Sequence, residues 1–134
     1  LILGNCTVNA SSYSVNLAES TCFIADDCQF SGLGIDLSKV GVVNIRDCSV
    51  TTTLYLHIGM DNVGSAELDG VTFSTTNKDG LLLSGGSTVY LTNCSGSLGT
   101  GKFIRCDGSI AIKGSGNSVT GAADETTSGG QIFS

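Results

Sequence analysis

Short alternations of apolar and polar residues, each ending in a bend residue, recur along the chain. The first reads Leu1-Ile2-Leu3-Gly4-Asn5-Cys6-Thr7-Val8 and the next Phe23-Ile24-Ala25-Asp26-Asp27-Cys28-Gln29-Phe30. Further copies start at Val43, Ala66 and Val89, and a sixth, Ile110-Ala111-Ile112-Lys113-Gly114, decays after its bend. The bend residues Asn5, Asp27, Asp47, Gly70, Asn93 and Gly114 lie 22, 20, 23, 23 and 21 residues apart. A period of two places alternate side chains on opposite faces of a strand. A further alternating pair precedes each copy after the first: Val15 with Leu17, Ile35 with Leu37, Ile58 with Met60, Leu81 with Leu83, and Ile104 with Cys106. Each repeat is therefore predicted to hold three short strands, numbered first to third here, with the bend between second and third.

Asn, Asp and Gly adopt the left-handed backbone conformation at low cost, so a bend that needs positive φ once per repeat selects them. A repeat of this length fits a β-helix or a leucine-rich horseshoe. The horseshoe requires a helix or its equivalent where this chain has further alternating strands. The predicted fold is all-β: a parallel β-helix of about six rungs over residues 1–117, which the resemblance described below implies to be single-stranded and right-handed. No rung buries a core alone, and each pairs only with its neighbours. Residues 118–134 lose the alternation and read as a polar, Gly/Ser/Thr-rich cap, linker or exchange arm. With Leu1 in place of an initiating Met, the chain is expected to be part of something longer.

The bend position between two short strands, followed by an inward small or aliphatic residue, resembles the turn ladder of right-handed parallel β-helices, the architecture of pectate-lyase-like enzymes and bacteriophage tailspikes. That resemblance implies a rod-like segment that recognises host surface polysaccharide, in a homotrimer, on a virion tail or in an extracellular setting. It also raises two alternatives, a polysaccharide lyase or glycoside hydrolase fragment and a bacterial adhesin passenger segment.

The alternation assigns the interior. Second strands contribute Leu1, Leu3, Phe23, Ala25, Val43, Ile45, Ala66, Leu68, Val89, Leu91, Ile110 and Ile112. Cys6, Cys28, Cys48 and Cys94 share one inward position that Val71 occupies in the remaining rung. A site that accepts Val is a packing site, and free Cys behaves as a small hydrophobe. Buried free thiols are expected, with a disulfide involving Cys22 or Cys106 as the alternative. The absence of any CxxC pair argues against structural zinc, and neither metal nor cofactor is expected.

Composition narrows the function classes. Charged residues make up 13% and the net charge is -6, which repels nucleic-acid phosphates. No apolar run reaches the roughly 18 residues of a membrane span. Outward positions must carry function. One column alternates charge through Asp26, Arg46 and Asp69 and ends at Lys113. Its neighbour runs Ile2, Ile24, Asn44, Glu67, Tyr90 and Ala111. The third-strand face is mostly hydroxylic, and the loops into the first strands vary most.

Asp36 and Asp61 on adjacent first strands, two residues apart, would lie about 8 Å from each other. That is within the roughly 6.5–9.5 Å of an inverting glycosidase pair. They are the candidate catalytic residues. Asn16, His57, Arg105, Tyr13 and Tyr55 are the candidate ligand contacts, with His57 read as outward-facing. No apolar pocket beside either Asp is evident in the sequence, and no Trp is present. Asp36→Asn and Asp61→Asn are accordingly expected to leave any glycan cleavage unchanged.

Overall fold

The structure, a computed structural model, describes residues 1–52, 56–74 and 77–134. It is an all-β, right-handed parallel solenoid of about six turns. Strands β1 (Ile2–Gly4) and β2 (Thr7–Asn9) precede the long β3 (Val15–Asp26), then β4 (Gln29–Gly32) and the equally long β5 (Ile35–Arg46). There follow β6 (Ser49–Thr52), β7 (Ile58–Asp61), β8 (Ser65–Asp69), β9 (Thr72–Ser74) and β10 (Leu81–Ser84). The remainder are β11 (Thr88–Thr92), β12 (Ser95–Lys102), β13 (Ile104–Asp107), β14 (Ile110–Lys113), β15 (Ser118–Ala122), β16 (Glu125–Thr127) and β17 (Gln131–Phe133).

Among the described residues all strand pairings are parallel and form three ladders. The first joins the start of β3 to β5, β7, β10, β13 and β16. The second runs from β1 through the ends of β3 and β5 to β8, β11, β14 and β17. The third is β2, β4, β6, β9, β12 and β15. The ladders run on past residue 117, where Ser118 pairs with Ser95, Glu125 with Arg105 and Ile132 with Ala111. Val119 and Ile132 pack there against the core, but the polar residues around them hide the period.

Two corners, each built on a left-handed residue, turn the chain. Between second and third strands stand Asn5, Asp27, Asp47, Gly70, Asn93 and Gly116, with φ between 51° and 77°. The N–H of each of the first five donates to the carbonyl just before the next member, at 2.9–3.0 Å. The sixth member is Gly116 and not Gly114: β14 is shifted by one residue and the stretch before the corner holds one more, so that Ala111 pairs with Val89 and is fully buried, while Ile110 lies outside. Ile112 pairs with the outward Tyr90. Ile110 and Ile112 are therefore not the inward pair. A one-residue slip exchanges the faces of a strand, and the two isoleucines around a small Ala disguise it. The same slip puts Lys113 beside the inward Leu91, where its Nζ reaches Asp124 Oδ2 at 2.8 Å.

The other corner, between first and second strands, holds Glu19, Lys39, Asn62, Gly85, Gly108 and Ser128, with φ between 52° and 64°. These residue types share no pattern, so the alternation alone does not reveal the column. At several of these corners the chain then turns inward with a side chain that serves the backbone, whereas Val40, Val63 and Val71 fill the equivalent space without doing so. Cys28, Cys48 and Cys94 donate their thiols to the carbonyls of Asp26, Arg46 and Thr92 at 3.1–3.4 Å. Cys48 Sγ also accepts the Cys28 N–H, as Asn117 Oδ1 accepts that of Cys94. At the second corner Ser87 Oγ accepts the Val63 N–H at 2.9 Å, and Ser109 Oγ accepts the Ser87 N–H at 3.0 Å. Leaving such a buried N–H unmet costs roughly 1–3 kcal/mol. The column therefore favours sulfur, hydroxyl and amide groups as well as small size.

All six cysteines are free, and Cys28, Cys48, Cys94 and Cys106 are buried. Phe23, Phe30 and Phe73 fill the interior with Ile35, Leu37, Ile45, Leu68, Leu81 and Leu91. No helix among the described residues is long and apolar enough to cross a membrane.

Candidate functional site

The outward side of the first ladder carries two columns. One reads Asn16, Asp36, Gly59, Leu82, Arg105 and Glu125 from rung to rung. The other contains Ala18, Ser38, Asp61 and Ser84. Since Asp36 faces Gly59 and Ser38 faces Asp61, the two carboxylates lie diagonally on adjacent rungs. Strand rise and spacing put them about 8 Å apart.

Gly59 decides the environment of Asp36. A Cβ there would lie 3.2 Å from Asp36 Oδ1 and 3.4 Å from Leu56 Cδ1, so the carboxylate rests on bare backbone beside an apolar side chain. Burial, with a smaller contribution from the charge of Asp61, raises the Asp36 pKa above the ordinary carboxyl value. This overturns the expectation that nothing apolar adjoins the pair: Leu56 comes from the loop before β7, out of register with the alternation. Asp61 is exposed and accepts the Ser84 hydroxyl at 3.0 Å.

The other sequence candidates scatter. Asn16 is exposed one rung from Asp36, and Tyr13 is half-buried at the loop before β3. Tyr55 lies outside the described residues. Arg105 stands three rungs from Asp36, between Asp79 at 3.4 Å and Glu125 at 3.7 Å, with Lys102 on the other Glu125 oxygen at 3.3 Å. Its guanidinium lines a small cleft of about 110 Å³ with Leu82, Asp107, Glu125 and Thr127.

His57 is not on the outward face. It is fully buried and packs edge-on against Phe73 at 5.4 Å between ring centroids. Its Nδ1 lies 2.9 Å from the Asp79 carbonyl, and because a carbonyl only accepts, Nδ1 carries the proton. Burial lowers its pKa below 6.5, an effect the carbonyls of Asp79 and Ser74 offset in part. The residue sits in the corner before the strand, where the period-two rule no longer applies.

The alternation assigned no site to the second-ladder face, yet a hollow lies there. It has a volume of about 440 Å³ and lies among Val42, Asn44, Ser65, Ala66, Glu67 and Tyr90. Asn44, Glu67 and Tyr90 stack in one outward column, with Ile112 and Phe133 continuing it on the next rungs. Val42 is 50% exposed and Tyr90 43% exposed, so a valine and an aromatic ring flank the small Ser65 and Ala66. The signal available was the outward aliphatic and aromatic residues in a column interrupted by Asn and Glu. In the adjoining column Arg46 grips Asp26 through both guanidinium contacts at 3.3 Å. Hydrogen bonds from Asn93 and Thr92 hold the Asp69 carboxyl below its usual range, with a smaller contribution from Arg46. Among the described residues no group of three or more His, Cys, Asp or Glu side chains is placed to hold a metal ion.

No family model, no curated protein and no solved structure matches the chain. Its relation to parallel β-helices rests on the fold.

Proposed function

We propose that this chain is a rod segment that recognises host surface polysaccharide, of the kind found in bacteriophage tailspikes and tail fibres. In this reading it acts within a homotrimer, on a virion tail or another extracellular surface. The observation that carries the reading is the hollow beside Tyr90. A sugar ring offers an apolar C–H face and a rim of hydroxyls. Tyr90 offers a half-exposed ring for the first, while Asn44, Glu67 and Ser65 offer amide, carboxylate and hydroxyl groups for the second. The net charge of -6 favours neutral over strongly anionic glycans. Titration calorimetry against a panel of capsular and O-antigen polysaccharides tests this. Tyr90→Ala should weaken binding at least tenfold with the fold intact, whereas undiminished binding by that variant refutes the site.

The second reading is hydrolysis, and the position of Asp36 favours it. A carboxyl whose pKa burial raises is the better suited of the two to act as general acid, while a diagonal carboxylate on the next rung activates water. A reducing-end assay separates the two readings. A loss of cleavage of about a hundredfold in Asp36→Asn or Asp61→Asn, with folding intact, supports hydrolysis. Glycan binding without cleavage leaves recognition alone.

A further inference from the structure

We propose that Cys6 and Cys28 form a thiol–disulfide site that staples the first two rungs together when the chain meets a small-molecule disulfide such as oxidised glutathione. The two residues follow Asn5 and Asp27 at the same corner of adjacent rungs. Gln29 N–H donates to the Cys6 carbonyl at 2.9 Å, and the two Sγ atoms lie 3.4 Å apart. Rung stacking places their Cα atoms about 4.8 Å from each other, inside the range of roughly 4.4–6.8 Å that a disulfide spans. Both cysteines stand just before their strands, since β2 begins at Thr7 and β4 at Gln29, so the bond would form across one rung step at the corner.

The other thiols are less suited. Cys48 Sγ accepts the Cys28 N–H, and burial pushes its pKa up to about 11. Val71 separates Cys94 from Cys48 in the column. Cys106 is buried and donates to the Ser109 carbonyl at 3.0 Å, and Cys22 lies at an outward register position beside Val42. Cys6 is half-buried and admits a reagent, whereas Cys28 is 1% exposed.

The chemistry balances in two exchanges. Cys6 loses its proton to solvent, and its thiolate attacks one sulfur of oxidised glutathione, forming a mixed disulfide and releasing one glutathione thiolate. Cys28 then loses its proton, and its thiolate attacks the Cys6 sulfur, forming the Cys6–Cys28 bond and releasing the second glutathione thiolate. The two protein thiols are oxidised and one glutathione disulfide is reduced to two thiols. The bond joins residues 22 apart and removes conformational freedom from the unfolded chain. In a reducing compartment the pair stays open, and outside it closes.

The test treats the reduced chain with oxidised glutathione and follows it by intact mass, peptide mapping and thermal melting. The expected product is lighter by about 2 Da, as one disulfide requires. Its digest links the peptide containing Cys6 to the one containing Cys28, and its melting midpoint rises by several degrees, reversibly with dithiothreitol. Cys6→Ser, at a half-buried site, should melt like the reduced parent and show no shift on treatment. A lasting glutathione adduct on Cys6, a link between Cys28 and Cys48, or six titratable thiols after treatment overturns the proposal.

Discussion

At His57 the sign of a pH effect follows directly from burial. Its pKa in the fold lies below the 6.5 of an ordinary imidazole, so the unfolded chain binds the proton more readily than the folded one. Its contribution is complete above pH 6.5 and is lost as pH falls below that value. The denaturation midpoint should therefore drop between pH 7 and pH 5, and His57→Phe, which keeps a ring against Phe73, should remove most of that drop. Asp36 works in the opposite sense. Its folded pKa is raised, so ionising it as pH climbs past the carboxyl range costs stability. Asp36→Asn should raise the midpoint at pH 7 and leave it unchanged at pH 3, which denaturant titrations at the two pH values would show. Neither environment was legible in the sequence. His57 and Leu56 both lie in the loop and corner before β7, where alternation stops specifying direction, and Gly59 matters because it has no side chain.

At the level of elements, the corners are the features most open to test. Asp47 has φ of 51°, so Asp47→Val should destabilise by about 1–2 kcal/mol, the price of a β-branched residue in left-handed backbone. Lys39 shares its column with Gly85 and Gly108, and its Nζ meets only the exposed Glu19 carboxylate at 3.3 Å among the ion pairs of the described residues. Lys39→Gly should raise stability by about 0.5–1 kcal/mol, since the strain relieved exceeds both a surface ion pair and the added freedom of the unfolded chain. Ser87→Ala removes the hydroxyl and deprives the Val63 N–H of its acceptor, for an expected loss of about 1–3 kcal/mol. Chemical denaturation of each variant checks all three. The corner after the second strand was legible because Asn, Asp and Gly mark it. The corner after the first was not, because Glu, Lys, Asn, Gly and Ser have nothing in common except the backbone they are forced to adopt.

Over the whole molecule each rung lies on its neighbours, and the sequence determined that much by itself. A period of about 22 residues, two faces per strand and a bend residue in each copy leave a parallel solenoid as the economical way to bury every apolar stripe. Most of the interior of the first five repeats, including the column of Cys6, Cys28, Cys48, Val71 and Cys94, followed from the alternation alone, as did the pairing of Ile104 and Cys106 with Leu81 and Leu83, although Leu1, assigned inward, is 49% exposed at the end rung. Tertiary structure decided the rest. Stacking on Val89 and Leu91 set the register of β14, against a local pattern in which Ile110 and Ile112 looked inward. Stacking also carried all three ladders through residues 118–134, where each strand is short and mostly polar and is held by the rung beneath it. The hollow beside Tyr90 and the raised pKa of Asp36 exist only once small residues from one rung meet larger ones from the next. Such juxtapositions depend on contacts some 20 residues apart in sequence, and a strand pattern read over eight residues does not contain them.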